Sequence, residues 1–375
     1  MLASVHFIPC RVLLGAAVFI SLMGWCIAEE DILTVRMKGH AEGLGATART
    51  AAINFAQQEV LESVIQSMIA SEDMSPFQPM FRNAERYLRN YDLLRCDTPD
   101  NATDVEIDAH VLERPVRQDV AALIRPRLPK PPKVLLIAGE QIGDAQAATI
   151  PSPGIVETTL VQELKKLKFD VSTSESVTAL YPKAQLIELL RADMEICGKF
   201  ARGTLADVVM LGVATTVSEG ATGGGNVART KATLTLRVFR GLDGKMTDDL
   251  TRAAAVYAAN PGESGEQAVQ DACIKMAGDI VVAGILAAVS ALPPDTILLV
   301  LEHPNARDKV DGVVQVLKST PGVSAVEELY YSDALARLRV TYSGPVSTLV
   351  NLLTTENHLR ARTVIGREMT MQFVE

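Results

Sequence analysis

Residues 132–140 read PKVLLIAGE, a short apolar run that ends in Gly and Glu. An apolar run of this length, bounded by turn residues, is typical of a strand that is buried on both faces of a parallel sheet. A pattern for an amphipathic helix follows at 156–169 (VETTLVQELKKLKF), and a second strand pattern follows at 170–174 (DVSTS). Strand, helix and strand in this order predict an α/β unit.

The chain beyond this start changes from a parallel to an antiparallel pattern. A helix is predicted at 181–202, and a strand at 206–219 that begins with an apolar run. Two strand patterns at 231–241 and 247–259 flank an Asp-Gly turn signature. A long apolar helix at 265–292 closes the segment. These elements predict a mixed sheet covered by helices.

Three consecutive glycines stand in EGATGGGNVAR, residues 219–229. A phosphate-binding loop lies between a strand and a helix, because the free amides at the helix start bind the anion. Here an alternating strand pattern follows instead of a helix. The run is therefore predicted to be the tip of a long hairpin, in which glycine and asparagine supply positive φ angles. The tip is a candidate contact for a partner protein and consists of Gly223, Gly224, Gly225 and Asn226.

The last segment has the element order strand, helix, strand, strand, helix, strand. These patterns lie at 297–302, 305–320, 323–331, 334–342, 345–355 and 367–374. This βαββαβ order is that of the ferredoxin-like fold. Val310, Val313, Val314 and Leu317 form the predicted inward stripe of the first helix. His303 follows the first strand and is predicted to be a turn residue, with Asn305 as the candidate cap of the helix.

The first segment is predicted to be a small α+β domain. It has a strand pattern at 32–43, a long helix at 47–69, a second helix at 80–90, and two strands around a polar turn within 91–113. In the last of these strands, Asp104, Glu106, Asp108 and His110 alternate with apolar residues. Such a row could hold a metal or an acid–base pair, but period-2 alternation favours the solvated face of a half-buried strand.

Two proline clusters divide the chain. The first is RPRLPKPPK at 125–133, and the second is Pro293-Pro294. Proline cannot continue a helix, so both clusters favour domain boundaries. The predicted segments are 1–28 (a signal peptide), 29–128 (α+β), 133–292 (α/β) and 295–375 (ferredoxin-like).

The amino terminus has the pattern of an export signal. Arg11 precedes an apolar run of signal-peptide length, and Ala28 is a small residue before an acidic start. Cleavage after Ala28 is the expected processing, which places the mature chain in the periplasm. The alternative is a lipid anchor on Cys26, although the bulky Trp25 before it is unlike the small residue that such a site needs.

The mature chain would keep Cys96, Cys197 and Cys273. In an oxidising compartment two of them can pair, and Cys197 with Cys273 is the favoured disulfide because both lie on predicted helices of one segment. The alternative is that the three cysteines are buried thiols that act as small hydrophobic residues.

Composition and motifs argue against several classes of function. The formal net charge is −9 and no basic block stands out, which disfavours nucleic-acid binding. The sequence lacks CxxC, HExxH, Walker, GxSxG and GxGxxG patterns, and its histidines are scattered. We therefore expect no catalytic residues, no metal and no cofactor. Contact with a membrane is expected only through the signal peptide or a lipid.

Several motifs resemble a known family. GHAEG at 39–43, YLRNYDLL at 87–94 and VEIDAHV at 105–111 are similar to the amino-terminal domain of the flagellar assembly protein T family. PSPGIVETTLVQELKKLKFDV at 151–171 and LADVVMLGVA at 205–214 resemble the middle domain of that family, which is similar to the amino-terminal domain of TolB.

This resemblance covers residues 31–292 and implies a function. It implies a non-enzymatic periplasmic protein that belongs to a ring or scaffold around the flagellar basal body, with other ring proteins or further copies of itself as partners. The last segment departs from the family, whose tail resembles a small β-barrel. The alternative function is a periplasmic or outer-membrane-associated regulator, which docks on an envelope enzyme or a secretion channel through its TolB-like domain.

Overall fold

The computed structural model describes residues 32–69, 74–128, 130–143, 145, 147–221, 228–258, 260–289, 296–356, 359–365 and 368–374. They form a mixed α/β protein with three sheets. Contacts divide the chain into two compact units. Among the described residues, the first joins 32–60 with Asn83–Val116, and the second joins Leu61–Arg82 with those from Arg117 onward. The predicted middle and last segments thus lie in one unit, although each has a sheet of its own.

The elements are numbered in chain order. The strands are β1 Ile32–Glu42, β2 Leu88–Asp97, β3 Ala102–Leu112, β4 Lys133–Gln141, β5 Asp170–Thr173, β6 Val208–Ala221, β7 Ala228–Arg240, β8 Met246–Ala258, β9 Thr296–Glu302, β10 Val323–Tyr331, β11 Leu335–Tyr342, β12 Leu359–Ile365 and β13 Glu368–Phe373. The helices are α1 Ala46–Met68, α2 Gln78–Phe81, α3 Glu113–Ile124, α4 Ile155–Lys166, α5 Lys183–Arg191, α6 Met194–Gly203, α7 Pro261–Ala288, α8 Arg307–Ser319 and α9 Val346–Glu356.

The first unit is built on an antiparallel sheet of order β1-β3-β2. In β3 every second residue is buried, as the alternation predicted. The start of α1 lies so close to β1 that a methyl group on Gly39 would meet the carbonyl oxygen of Ala52 at 2.0 Å. A glycine is needed at this point because the two backbones are almost in contact.

Two predictions for the chain next to this sheet were wrong. The helix expected at 80–90 is a short turn over Ala84–Tyr87, after which the chain enters β2 at Leu88. The helix α3 was not predicted, and it contains Pro115. Proline is tolerated there since it lies in the first turn, whose amides have no partner within the helix.

The second unit contains a five-stranded sheet of order β5-β4-β6-β7-β8. Strand β4 is parallel to both β5 and β6, whereas β6, β7 and β8 are antiparallel. The predicted change from parallel to antiparallel pairing is confirmed. Leu135 and Ile137 pack with α5 and α6 on one face. On the other face Met210 lies against Gly284 of α7.

One predicted helix of this segment is two helices. The chain leaves α5 at Ala192 and starts again at α6, where the carboxylate of Asp193 accepts a hydrogen bond of 2.9 Å from the amide of Ile196. Asp193 is therefore the N-cap of α6, and aspartate is one of the residues preferred at that position.

The third sheet has the order β10-β11-β9-β13-β12. Its elements follow the predicted order, with the unpredicted strand β12 before the last one. Strand β12 pairs antiparallel with β13, and β13 pairs parallel with β9. The predicted stripe of α8 is confirmed, since Val310, Val313 and Leu317 are buried in the core and Val314 packs against it.

The third sheet is docked on the second through a buried arginine. The guanidinium of Arg337 on β11 donates hydrogen bonds to the carbonyls of Thr204 and Gly241, and the residue is 4% exposed. Burial lowers the pKa of Arg337 to about 10, so the side chain stays charged at neutral pH. Lys130 bonds Glu368 of β13 at 2.5 Å and lies 3.5 Å from Asp207. These contacts join the second and third sheets within one compact unit.

Candidate functional site

A cleft of about 740 Å³ opens in the second unit between its two sheets. Its floor is formed by Val134 and Leu135, at the amino end of β4, and by Ala206 before β6. Tyr330 and Leu335, from β10 and β11, form the opposite wall. The volume lies within the range of roughly 300–1,000 Å³ that is usual for ligand pockets. We therefore take this cleft as the candidate site.

Aromatic rings line the inner part of the cleft. The ring of Tyr181 meets Phe200 edge to face, with 5.1 Å between centroids and 72° between planes. Tyr330, which belongs to β10, packs against the end of α6. A methyl group added to Gly203 would lie 2.7 Å from the hydroxyl oxygen of Tyr330. Burial, with a smaller contribution from Tyr330, raises the pKa of Tyr181. Its hydroxyl therefore stays protonated at neutral pH and is suited to hydrogen bonding.

Charged side chains line the rim. Asp170, Glu302 and Asp333 line the cleft, and Lys133 is the only lining side chain of fixed positive charge among the described residues. None of the ion pairs found among the described residues involves these three carboxylates. The rim is therefore acidic.

The turn after β9 brings His303 to the cleft. His303 and Asn305 have positive φ angles of 49° and 57°, and their amides bond the carbonyls of Ala334 and Asp333 at 2.8 and 3.0 Å. His303 is thus a turn residue, as predicted. The prediction that Asn305 caps α8 was wrong, because Ala306 holds the cap position and no side chain bonds there.

Two buried carboxylates lie at the carboxyl end of β4, away from the cleft floor. Glu140 accepts a hydrogen bond of 2.8 Å from the amide of Val156 at the start of α4. Glu157 accepts from the amide of Ala138 at 3.2 Å and from the hydroxyl of Ser174 at 3.0 Å. Burial raises the pKa of both carboxyl groups despite these bonds. Their partners are internal, so they join β4 to α4.

We predict that the variant Glu157→Gln gains stability relative to the natural chain as pH rises. A carboxyl group whose folded-state pKa is raised stabilises the fold below its unfolded-state pKa, and this contribution is lost as pH rises through the folded-state pKa. Glutamine keeps an acceptor for Ala138 and carries no charge. Urea unfolding of both proteins between about pH 4 and 8 should show a difference in unfolding free energy that grows with pH. A constant difference would contradict the buried, unfavourable charge.

The disulfide predicted between Cys197 and Cys273 is not formed. Both residues are free and buried, and Cys96 is free and exposed. Cys197 packs with Leu135 on the α5 and α6 face, whereas Cys273 belongs to α7, which covers the opposite face. A disulfide requires Cα atoms within about 7 Å, and the sheet lies between these two.

The other predicted site residues are not part of the cleft. Strands β6 and β7 flank the glycine run and pair as a hairpin, but Gly223, Gly224, Gly225 and Asn226 lie outside the described residues, as do Cys26 and Ala28. The polar row on β3 is a solvated face: Asp104 bonds His40 at 2.6 Å and Asp108 bonds Arg36 at 2.8 Å.

Two further kinds of site are absent from the part of the chain that the structure describes. No group of three or more His, Cys, Asp or Glu side chains is placed to hold a metal within the described residues. In the same part of the chain, no helix has the length and hydropathy of a transmembrane span.

Sequence analysis missed the cleft, because its residues come from distant parts of the chain. Lys133, Asp170, Tyr181, Tyr330 and Asp333 share no motif or spacing. The available signal was weak: Leu180 and Leu205 lie outside the helices and strands, where they are 73% and 52% exposed.

Comparisons with known proteins give distant structural neighbours. No family profile and no curated protein matches the chain. The lipoprotein GNA1162 of Neisseria meningitidis is 12% identical over 40% of this chain and 99% of its own, with a TM-score of 0.28. Protein XCC0632 of Xanthomonas campestris is 10% identical over 41% of this chain and 86% of its own, with a TM-score of 0.26. The hypothetical protein CT253 of Chlamydia trachomatis is 12% identical over 43% of this chain and 99% of its own, with a TM-score of 0.25. Less than half of this chain is thus similar to most of the length of each of these bacterial proteins, at scores too low to assign it a fold.

Proposed function

We propose that this chain is a non-enzymatic, exported periplasmic protein that helps to assemble a ring or scaffold around the flagellar basal body. The proposal draws on the resemblance of residues 31–292 to the flagellar assembly protein T family. Its partners would be other ring proteins, further copies of the chain, or both.

The observation that carries the proposal is that charged side chains inside the protein bond other elements of the protein and hold them together. Arg337 and Lys130 hold two sheets together, and Glu140 and Glu157 hold α4 to β4. In an active site, charged groups with perturbed pKa values would face a cavity that admits the substrate. Here each bonds groups of the protein itself, which suits a building block better than a catalyst.

The finer fold assignments belong to the same proposal. The sheet β5-β4-β6-β7-β8 with α4 to α7 would be the TolB-like domain. The sheet β10-β11-β9-β13-β12 would be a variant of the ferredoxin-like domain in which β13, parallel to β9, lies between β9 and β12. The first unit would be the amino-terminal domain of the family.

A chromosomal deletion in the source bacterium tests the proposal. We expect loss of swimming in soft agar and basal bodies that lack a ring by electron microscopy, with both restored by the natural gene. The tagged protein should co-purify with detergent-extracted basal bodies. Normal flagella and rings after the deletion would contradict the flagellar assignment.

The second candidate is a regulator that docks on an envelope enzyme or a secretion channel. The observation that favours it is the acidic cleft, since a scaffold does not require a ligand-sized cavity. Mass spectrometry of the mature amino terminus separates the two forms of the chain: cleavage after Ala28 gives an unmodified end, whereas a lipid on Cys26 would tether the protein to a membrane and favour the regulator.

A further inference from the structure

We propose that the cleft binds an extended peptide segment of a partner protein in which aliphatic and basic side chains alternate. The cleft combines an apolar interior with an acidic rim, where Asp170, Glu302 and Asp333 outnumber Lys133 among the described lining residues. The inference goes beyond the flagellar role, because it names a ligand chemistry that holds whatever assembly the chain belongs to.

The interior of the cleft fits an aliphatic side chain. Val134 and Leu135 form the floor and are almost fully buried, while Tyr181 and Tyr330 form the two sides. Leu180 and Leu205 stand at the mouth and are largely exposed to water. An apolar side chain placed between them would remove this surface from water, which is favourable in proportion to the area covered.

The rim fits a cation. Asp170 and Glu302 lie on the two sides of the cleft, and Asp333 lies in the turn between β10 and β11. Three carboxylates face one ammonium group, that of Lys133, so the mouth carries a negative potential. Such a potential attracts a basic side chain and disfavours an acidic one. The aromatic faces beside the rim add a favourable cation–π environment.

The size and the mixed lining of the cleft favour a peptide over a free amine as the occupant. The cleft has a volume of about 740 Å³, and both apolar and acidic residues line it. A segment that alternates apolar and basic residues meets both parts at once, because successive side chains of an extended chain point to opposite sides.

The test uses the purified mature chain and a fluorescein-labelled tetrapeptide of alternating leucine and lysine. We expect saturable binding by fluorescence anisotropy with half-saturation below about 1 mM. Raising salt from about 50 to 500 mM should weaken it, since screening shortens the range of charge–charge attraction. A leucine–glutamine tetrapeptide should not bind, and spermidine should not compete at equal concentration.

Matched variants connect the binding to the cleft. The double variant Glu302→Gln with Asp333→Asn should weaken binding by roughly threefold per carboxylate, or about tenfold together. The control Glu188→Gln with Asp100→Asn removes the same charge from exposed positions outside the cleft and should leave binding unchanged. Leu205→Arg puts a cation at the exposed mouth and should abolish binding without loss of thermal stability.

Several results would overturn the inference. These are absence of saturable binding, equal weakening by the cleft and control variants, and equal binding of the leucine–glutamine peptide. Competition by spermidine would show general attraction of polycations instead of a peptide site. None of these outcomes touches the flagellar proposal, whose test is the deletion strain.

Discussion

The variant Arg337→Met is expected to lose about 3 kcal/mol of unfolding free energy. Methionine is apolar and of similar length, but it cannot donate to the carbonyls of Thr204 and Gly241. Both oxygens would stay buried without a partner, which costs about 1–3 kcal/mol for each group. Urea unfolding of the mature chain at pH 7, followed by circular dichroism, measures the loss.

The control for this prediction is Arg339→Met, two residues along the same strand. Arg339 pairs with Glu327 at 2.9 Å near the surface, with 31% of its side chain exposed. Exposed ion pairs contribute about 1 kcal/mol or less, so this variant should remain close to the natural chain. Equal losses in the two variants would show that Arg337 does not hold the two sheets together.

The variant Gly39→Ala is expected to lose at least about 3 kcal/mol of unfolding free energy, and Gly39→Val should prevent folding. A methyl group at this position would lie 2.0 Å from the oxygen of Ala52 and 2.8 Å from the methyl group of Ala56. Neither atom belongs to a flexible side chain, so α1 must move away from β1. Far-UV circular dichroism and thermal unfolding of the mature chain measure the effect.

Gly312→Ala is the matched control, because it adds the same methyl group where there is room. Gly312 lies inside α8, and nothing stands within 4 Å of an added methyl group. Alanine in a helix interior is favoured over glycine by about 1 kcal/mol, so this variant should be slightly more stable. If Gly39→Ala were tolerated as well as Gly312→Ala, the close approach of α1 and β1 would be refuted.

Local patterns predicted most of the elements correctly. Alternation along β3 identified its buried and solvated faces, and the strand pattern after the glycine run identified a hairpin rather than a phosphate loop. The apolar run of β4 predicted a parallel strand buried on both faces. These predictions succeeded because period and turn chemistry are properties of the backbone over a few residues.

Predictions failed where distant residues decide the outcome. Strand β12 forms because β13 offers it a neighbour, and its own sequence shows no strong strand pattern. Cys197 and Cys273 lie on helices of one segment, but those helices cover opposite faces of the sheet. The fact that two helices are close in the sequence does not determine which face of the sheet each of them covers.

The candidate site shows the same division. Asp170 and Asp333 are ordinary polar residues next to a strand and in a turn, and neither belongs to a motif. They line one cleft only because the third sheet docks on the second through Arg337. The burial of Arg337 could not be predicted from its strand, because Arg337 alternates with apolar residues and shares a face with Arg339. Such a pattern is typical of a face exposed to solvent.

The sequence by itself determined most of the strands and helices, the change from parallel to antiparallel pairing in the second sheet, and the hairpin around the glycine run, because each depends on spacing within one short stretch. The tertiary structure alone decided that Gly39 touches α1, that Arg337 is buried, and that an acidic, aromatic cleft opens between two sheets. These features depend on the distance between residues far apart in the chain, which is set by packing of whole elements and not by local pattern.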